Sequence, residues 1–406
     1  MSFNPILLTA IVLLSAASIN LLFFRPVFIA VFFERVFIEL ALRDPETLSR
    51  LHLIESFGLK FHQDDLTDIS EEHQTWAYKK LSKDLDTLRT YNAISLSKSE
   101  NYSKDILDYT LSIYMGGEKY RYHNYPVNQV FGIQNEFPNF MATIHPIESK
   151  DDAADYIARL SKTDLKFSQL LDGLRIRADK GIIPPKFIIE QVLVEMQNFV
   201  STKNDNNILY KSFIDRLDNI QNLQPQIRDN LLSRTRNEID NTVYPAYKKL
   251  IVYFEELLPI ADDRAGVWKL PDGDNFYNYC LQSHTTTSLT AEEIHNIGLD
   301  QVGRIQQKIQ EKLGKLGYNT QTSFYQTMKE FADNNKYYYE NSDLGRSQAL
   351  QDYKNYIEDS TLKSKSLFSG VVNNSISVER VPQYKENTSP VAYCQRQPKS
   401  EAITAL

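Results

Sequence analysis

The chain has 406 residues, of which 42% are apolar and 24% charged, a globular composition that excludes wholesale disorder. Its 45 lysines and arginines against 52 acidic residues give a net charge of −7, so no nucleic-acid partner is expected. Two cysteines exclude a multi-cysteine zinc module, and only 14 glycines argue against the glycine-rich phosphate turns of Rossmann and P-loop folds.

Residues 6–24 contain no charged side chain. At 1.5 Å per residue a helix of this length spans about 28 Å, close to the roughly 30 Å hydrocarbon core of a bilayer. The run predicts a single membrane helix, and with the apolar residues after it an N-terminal membrane anchor over residues 1–33. The alternative is a cleaved signal peptide, since residues 15–17 are Ser-Ala-Ala, although no lysine or arginine precedes the run.

Three arginines follow this span, and they bear on its orientation: Arg25, Arg35 and Arg43. By the positive-inside rule they would keep the body of the protein in the cytoplasm. The orientation of the membrane helix is left open at this point.

Farther along the chain, the spacing of apolar residues predicts helix after helix. Ser149 begins one helix as its capping residue, and Gly181 ends it. The best-defined helix begins with a capping box formed by Thr290 and Glu293, and two glycines end it. The sequence thus predicts a large all-α body of eight to eleven helices.

A long helical pattern over residues 225–258 contains Pro245, whose ring removes an amide donor and clashes one turn back, so we expect a kink near Tyr244. Strand signals are sparse. Residues 127–131 and 375–381 are the plausible candidates, so the fold class predicted is all-α with at most a few short strands.

The seven histidines are scattered, and none forms the His-Glu-x-x-His pair that places two metal ligands on one helix face. Glu292 and His295 lie three residues apart on a predicted helix and could share a face in a metal site. The simpler interpretation is that the helix dipole stabilises Glu292 in the first turn, while His295 is partly exposed. No metal ligand is predicted.

His284 is followed by the three threonines of residues 285–287. Consecutive β-branched hydroxyl residues suit an extended segment that offers donors and acceptors to a ligand. The alternative is an ordinary loop that leads to the cap at Thr290. No Gly-x-Ser-x-Gly elbow is present, so a serine hydrolase has no support.

Several segments, taken in their order along the chain, resemble one family. They are FERVF at 33–37, DPE at 44–46, NYPVN at 124–128, FGIQ at 131–134, FPNF at 137–140, GIIPP at 181–185, YPAY at 244–247, and HTTT at 284–287 with LTAEEIHNIGL at 289–299. The set resembles the bacterial domain-of-unknown-function family number eight hundred and eighty-five. The resemblance extends over residues 32–393.

This resemblance implies an all-helical zinc metallopeptidase body, similar to carboxypeptidase and oligopeptidase families whose helices enclose a deep cleft. It also implies a location outside the cytoplasm, with peptides as ligands. Gln134, His284, Thr285 and Thr286 are then candidates for lining the cleft.

The resemblance also implies three segments: the anchor over 1–33, a helical family domain over 34–393 and an unrelated tail over 394–406. In the family, the part similar to residues 378–393 precedes a His-Glu motif and a Pro-Gly-His-His motif, which supply zinc ligands and the general base. Neither motif occurs in this chain.

We therefore expect a truncated, membrane-anchored relative of zinc metallopeptidases with no catalytic residue and no cofactor of its own, zinc being expected in full-length relatives. Two alternatives stay open. One is an active peptidase that completes its site through Glu292 and His295, and the other is a helical binding or scaffold protein unrelated to peptidases.

Overall fold

A computed structural model describes residues 25–202 and 204–368, together with positions 376, 378 and 380. Every regular element in these residues is helical, and none of them forms a strand, which confirms the predicted all-α fold. The chain divides after Ser288 into two compact units.

The first unit contains twelve α-helices among the described residues, and short 3-10 turns join several of them. They are α1 (Ile29–Ala41), α2 (Pro45–Leu51), α3 (Glu71–Arg89), α4 (Lys98–Gly116), α5 (Ile133–Thr143), α6 (Lys150–Ser161), α7 (Thr163–Asp179), α8 (Lys186–Ser201), α9 (Ile208–Leu217), α10 (Pro225–Glu238), α11 (Tyr244–Leu257) and α12 (Gly273–Thr285).

The core of the first unit is formed mainly by the helices from α5 to α11, whose predicted apolar faces meet. Tyr247 of α11 is its aromatic centre, with ring centroids 4.9 Å from Phe167 and 4.4 Å from Phe199. Ile189 and Phe254 are also fully buried. Burial of such side chains stabilises each by about 1.5–3 kcal/mol relative to exposure, so together they contribute several kcal/mol to the stability of the unit.

Arg159 of α6 is buried, and its hydrogen bonds link helix α2 to this core. Its guanidinium donates hydrogen bonds to Ser49 Oγ (2.7 Å), to the His62 carbonyl (3.0 Å) and to His145 Nδ1 (2.7 Å). Because His145 accepts at Nδ1 and donates from Nε2 to the Asp152 carbonyl (2.9 Å), its imidazole is neutral. Burial and the nearby Arg159 charge hold the pKa of His145 well below its usual value.

Helix α1 packs against α3 through Ile29 and Phe32, which are buried with Leu88 and Tyr91. The Tyr91 hydroxyl donates to the Pro26 carbonyl at 2.6 Å and fixes the start of α1. The membrane helix predicted over residues 6–24 lies outside the described residues. Among the described residues, no helix has both the length and the apolar character needed to cross a membrane.

Predicted helix ends agree with the structure, while helix number does not. Ser149 accepts from the Asp152 amide, and the pattern that begins there ends at Gly181. The helix is interrupted at Lys162, however. The expected single helix is therefore two helices, α6 and α7. Such breaks and the short helices raise the number of α-helices in the described residues to fifteen, beyond the eight to eleven predicted.

The expected kink before Pro245 takes the form of a π-helical turn over Ile239–Val243, between α10 and α11. A wider turn accommodates a residue that lacks an amide donor. Ile239 and Val243 are fully buried, so the turn lies within the core.

The strand candidate at 127–131 is wrong, because these residues form bends and turns. Asn128 Oδ1 accepts from the amides of Val130 and Phe131, and this local bonding replaces a strand ladder. Most of the other candidate, 375–381, lies outside the described residues.

The second unit contains α13 (Ala291–Lys315), α14 (Phe324–Ala332) and α15 (Asp343–Ser364). The capping box predicted at its start is present: Thr290 Oγ1 accepts from the Glu293 amide, and the Glu293 carboxylate accepts from the Thr290 amide at 2.8 Å. Leu313 is the buried apolar residue of α13, whereas Ile297 and Ile305 are each about half exposed.

Candidate ligand-binding site

The loop between α4 and α5, residues 117–132, forms the walls of two open concavities in the first unit. Glycines at both ends allow close approaches. A Cβ atom at Gly117 would collide with the Tyr279 hydroxyl, and one at Gly132 with the Gln134 side chain and the Asn128 backbone. A substitution at Gly132 would therefore displace the loop, while one at Gly117 would displace the Tyr279 ring.

The first concavity, called here the amide concavity, has a volume of about 690 Å³. Its lining combines polar and apolar side chains of the loop, and α8 adds an isoleucine. The lining residues are Asn124, Tyr125, Pro126, Asn128, Gln129, Val130, Phe131, Ile133 and Ile188.

Asn128 fixes the shape of the amide concavity. Its Oδ1 accepts from the Val130 amide at 2.9 Å and the Phe131 amide at 2.8 Å, while its Nδ2 donates to the Tyr125 carbonyl at 2.9 Å. With the loop backbone held in this way, the Phe131 side chain is 78% exposed at the rim. The loop therefore presents a large apolar side chain on a fixed backbone.

Gln134, one of the residues predicted to line a cleft, is buried beneath this loop at 2% exposure. Its Nε2 donates to the Asn128 carbonyl at 2.6 Å, and its backbone carbonyl accepts from the Tyr247 hydroxyl at 2.6 Å. Burial raises the pKa of Tyr247 well above its usual value, so this phenol remains a donor. Gln134 Oε1 is buried without a hydrogen-bond partner among the described residues. Gln134 thus supports the wall of the concavity, and a ligand contact for it remains a prediction.

The second concavity, called here the basic concavity, has a volume of about 590 Å³ and is formed by the preceding half of the same loop. Three cationic side chains and a histidine are part of its lining. The lining residues are Glu118, Lys119, Arg121, Tyr122, His123, Lys180, Ile182 and Pro271.

Helix α12 packs against this loop and supports the basic concavity. The Phe276 ring lies 5.2 Å from Tyr120 and 4.9 Å from His123, between ring centroids. His123 Nε2 donates to the Pro271 carbonyl at 2.7 Å, which fixes the orientation of the ring.

The other three residues predicted to line a cleft, His284, Thr285 and Thr286, lie at the end of α12. The expected extended segment is wrong, because His284 and Thr285 continue the helix. His284 Nδ1 donates to the Cys280 carbonyl at 2.8 Å, and Thr285 Oγ1 donates to the Leu281 carbonyl at 2.8 Å. These bonds to carbonyls four residues earlier keep both residues in the last helical turn. Thr286 then adopts φ of 54° and ends it. Their role in a cleft remains a prediction.

The described residues do not fit a zinc centre, since no three or more of their histidine, cysteine and acidic side chains are arranged to hold a metal. Glu292 and His295 are both exposed on the first turns of α13. The His52, Glu55 and His62 side chains do meet in the first unit. However, the two imidazoles converge on the same oxygen, Glu55 Oε1, at 3.8 and 3.0 Å.

Sequence reasoning missed the basic concavity. Arg121 and Lys180 are far apart along the chain, and each alone is an unremarkable basic residue. The available signal was the density of aromatic residues after Tyr120, which favours a packed loop rather than a disordered one.

The fold and the loop at 117–132 together define an all-helical protein with two open concavities along the connection between α4 and α5. Its family follows from sequence: the family described as "Bacterial protein of unknown function (DUF885)" matches residues 53–404, and the chain belongs to that family. No curated protein matches the chain.

A solved structure has a similar fold. It is described as the crystal structure of the putative lipoprotein from Colwellia psychrerythraea, with a TM-score of 0.76 and 21% sequence identity. The match covers 86% of this chain and 62% of that one, so this chain spans about 62% of the length of its structural neighbour. At this identity the likeness concerns the fold.

Proposed function

We propose that this chain is a peptide-binding relative of zinc metallopeptidases that does not itself hydrolyse peptides. The observation that carries the proposal is the amide concavity, whose lining has polar side chains such as that of Gln129 beside apolar ones such as that of Phe131. An extended peptide offers main-chain donors and acceptors as well as side chains, and both kinds of group find complements on this surface.

The fixed loop backbone favours binding in a second way. A loop held by the Asn128 and Gln134 hydrogen bonds loses little conformational freedom when a peptide docks on it. Ordering of interface groups opposes association, so a preorganised wall leaves more of the contact energy available for affinity. Phe131 would provide the main apolar contact, because its ring is exposed before binding.

The peptidase relationship is supported by the ordered motifs, including His284 with its threonines and the segment at 289–299. The absence of catalysis belongs to the same proposal, because the described side chains do not fit zinc. We derive no hydrolytic step for this chain. Binding without hydrolysis is the activity that its residues support.

We propose a membrane-attached location outside the cytoplasm, through the uncharged run at 6–24. The description of the Colwellia protein as a putative lipoprotein supports such a location for a protein of this fold. Protease treatment of intact cells tests it: the body should be cleaved from outside. Full protection until the cells are lysed would contradict it.

Peptide binding is tested with Phe131→Ala and its matched control Phe57→Ala. Both rings are exposed, at 78% and 74%, but only Phe131 lines the amide concavity. The probe is a fluorescein-labelled peptide of about ten residues and mixed sequence, followed by anisotropy. We expect Phe131→Ala to weaken binding roughly tenfold, as truncation of an aromatic anchor does. Equal affinities of the two variants would overturn the assignment of the concavity.

Hydrolysis is tested with a quenched fluorescent peptide in the presence of added zinc. We expect no cleavage above background. Cleavage that a chelator and His295→Ala both abolish would show an active peptidase completed through Glu292 and His295.

A further inference from the structure

We propose that the basic concavity binds a carboxylate of the bound peptide, either its C-terminus or an acidic side chain. This inference rests on the proposed peptide binding and names a chemical class for the ligand. Glu118 is the only acidic residue in the lining, against three cations: Lys119, Arg121 and Lys180. The two concavities are formed by consecutive parts of one loop, so one peptide could reach both.

The cations are gathered around a single aromatic ring, that of Tyr122. The Arg121 guanidinium lies 4.8 Å from the ring centroid, Lys180 Nζ 5.1 Å and the Arg177 guanidinium 5.5 Å. Cations gathered around one ring repel each other through space. An anion placed among them would relieve that repulsion.

Arg177 forms no direct ion pair with the described residues, and the charge of Glu71 acts on it only through space. Its side chain is buried at 6% exposure and donates to neutral acceptors, namely Asn124 Oδ1 at 2.7 Å and the Gly173 carbonyl at 2.8 Å. A buried cation with neutral partners creates a positive potential that solvent screens poorly. Lys180, which is exposed, forms no ion pair with the described residues. Arg177 and Lys180 thus carry positive charge that no direct ion pair in the described part of the chain neutralises.

A carboxylate already binds in this region, which indicates the geometry that a ligand would use. Glu71 at the start of α3 accepts from Arg121 and, at 2.7 Å, from the Tyr122 hydroxyl. A peptide carboxylate can therefore share Arg121 or compete with Glu71 for it. His123 Nδ1, buried and without a partner in the described structure, gives the lining a further polar atom.

The test uses three labelled peptides of one neutral sequence: a free C-terminus, an amidated C-terminus, and an amidated C-terminus with one internal aspartate. Wild-type protein should bind the peptide with a free C-terminus, the peptide with the aspartate, or both, about fivefold more tightly than the amidated neutral peptide. This difference is expected for a partly exposed ion pair. Preference for the first alone identifies a C-terminal carboxylate as the ligand. Preference for the third shows that an acidic side chain also serves.

Lys180→Met should reduce this preference toward equal binding of the peptides, while Lys180→Arg should retain it. The matched control is Lys211→Met, an exposed lysine on α9 that does not line the concavity. Glu71→Gln should strengthen carboxylate binding, because it frees Arg121.

Equal binding of all three peptides would overturn the carboxylate site and leave peptide binding in place. If none of the three peptides binds, both proposals are overturned.

Discussion

The two compact units contain similar helices but bury them very differently. In the first unit, α5 to α11 enclose a continuous core in which Ile189, Tyr247 and Phe254 are 0–1% exposed. In the second, α13 has an equally clear amphipathic pattern, yet Ile297 and Ile305 remain 47% and 48% exposed. An apolar stripe therefore predicts that a helix forms more securely than it predicts what the helix packs against.

The physical reason lies in the range of the interactions. The capping box at Thr290 involves residues three positions apart, so sequence alone specifies where α13 begins. Burial of an apolar face depends on elements far away in the chain. The stability of the first unit thus rests on long-range packing, and the start of α13 on local hydrogen bonds.

The largest expected effect concerns Arg159 of the first unit. Arg159→Ala leaves the Ser49 hydroxyl, His145 Nδ1 and backbone carbonyls without their buried donor and opens a cavity. We expect a loss of about 3 to 5 kcal/mol in the free energy of unfolding. Both tryptophans, Trp76 and Trp268, lie in the first unit, so denaturant titration followed by tryptophan fluorescence measures it.

The matched control is Arg304→Ala on the exposed surface of α13, which should change the stability of the second unit by less than about 0.5 kcal/mol, measured by hydrogen exchange of the α13 amides. Similar losses for the two arginine variants would remove the contrast between the units.

A pair of isoleucines tests the contrast in apolar burial directly. Ile189→Ala should cost the first unit about 3 kcal/mol, because the residue is 0% exposed and its truncation leaves a cavity. Ile305→Ala, at 48% exposure, should cost the second unit less than about 1 kcal/mol. Denaturant titration measures the first change and hydrogen exchange of the α13 amides the second. A large loss for Ile305→Ala would show that its face is packed in solution.

The buried imidazole of His145 makes the stability of the first unit dependent on pH. Burial holds its folded pKa well below 6.5, whereas the unfolded chain has the ordinary value. Below about pH 6.5 the unfolded state binds a proton that the folded state does not, so the free energy of unfolding falls as the pH is lowered.

His145→Gln should flatten this dependence, since an amide can accept from Arg159 and donate to the Asp152 carbonyl. Denaturant titrations at pH 5 to 8 measure the slope, and His295→Gln on the exposed start of α13 is the control. An unchanged slope in His145→Gln would contradict the assignment of a neutral buried imidazole.

The smallest effect is expected at the cap of α13. Thr290→Ala removes the acceptor for the Glu293 amide and should cost about 1 kcal/mol. The amides of the first turn should then exchange roughly fivefold faster with solvent, a local change that hydrogen exchange resolves. Thr290→Ser retains a hydroxyl and should restore slow exchange; fast exchange in both variants would show that the cap is not responsible.

Local signals explain what the sequence could predict about the fold. Caps at Ser149 and Thr290 and the disturbance before Pro245 were predictable because each acts over one or two turns. The break at Lys162 was not, since the apolar pattern continues across it. The turn at 127–131 was missed because Asn128 satisfies the loop backbone through its side chain, a role that alternating apolar residues do not reveal.

For the candidate site, only part of the arrangement was accessible from the sequence. Gln134 was selected through its motif, but its burial beneath Asn128 depends on how the loop folds back on α5. Lys180 and Arg121 meet at Tyr122 through the packing of α7 against that loop, and no spacing rule connects residues so far apart. Such clusters arise from tertiary structure alone.

The π-helical turn over Ile239–Val243 makes this segment intolerant of changes in length. Each residue added to or removed from a helix rotates everything beyond it by about 100°. Tyr247, Leu250 and Phe254 follow the turn and point into the core only because of the phase that the wider turn sets. A single deletion there would tighten the turn into ordinary helix and swing this aromatic face toward solvent, although no core side chain had been replaced.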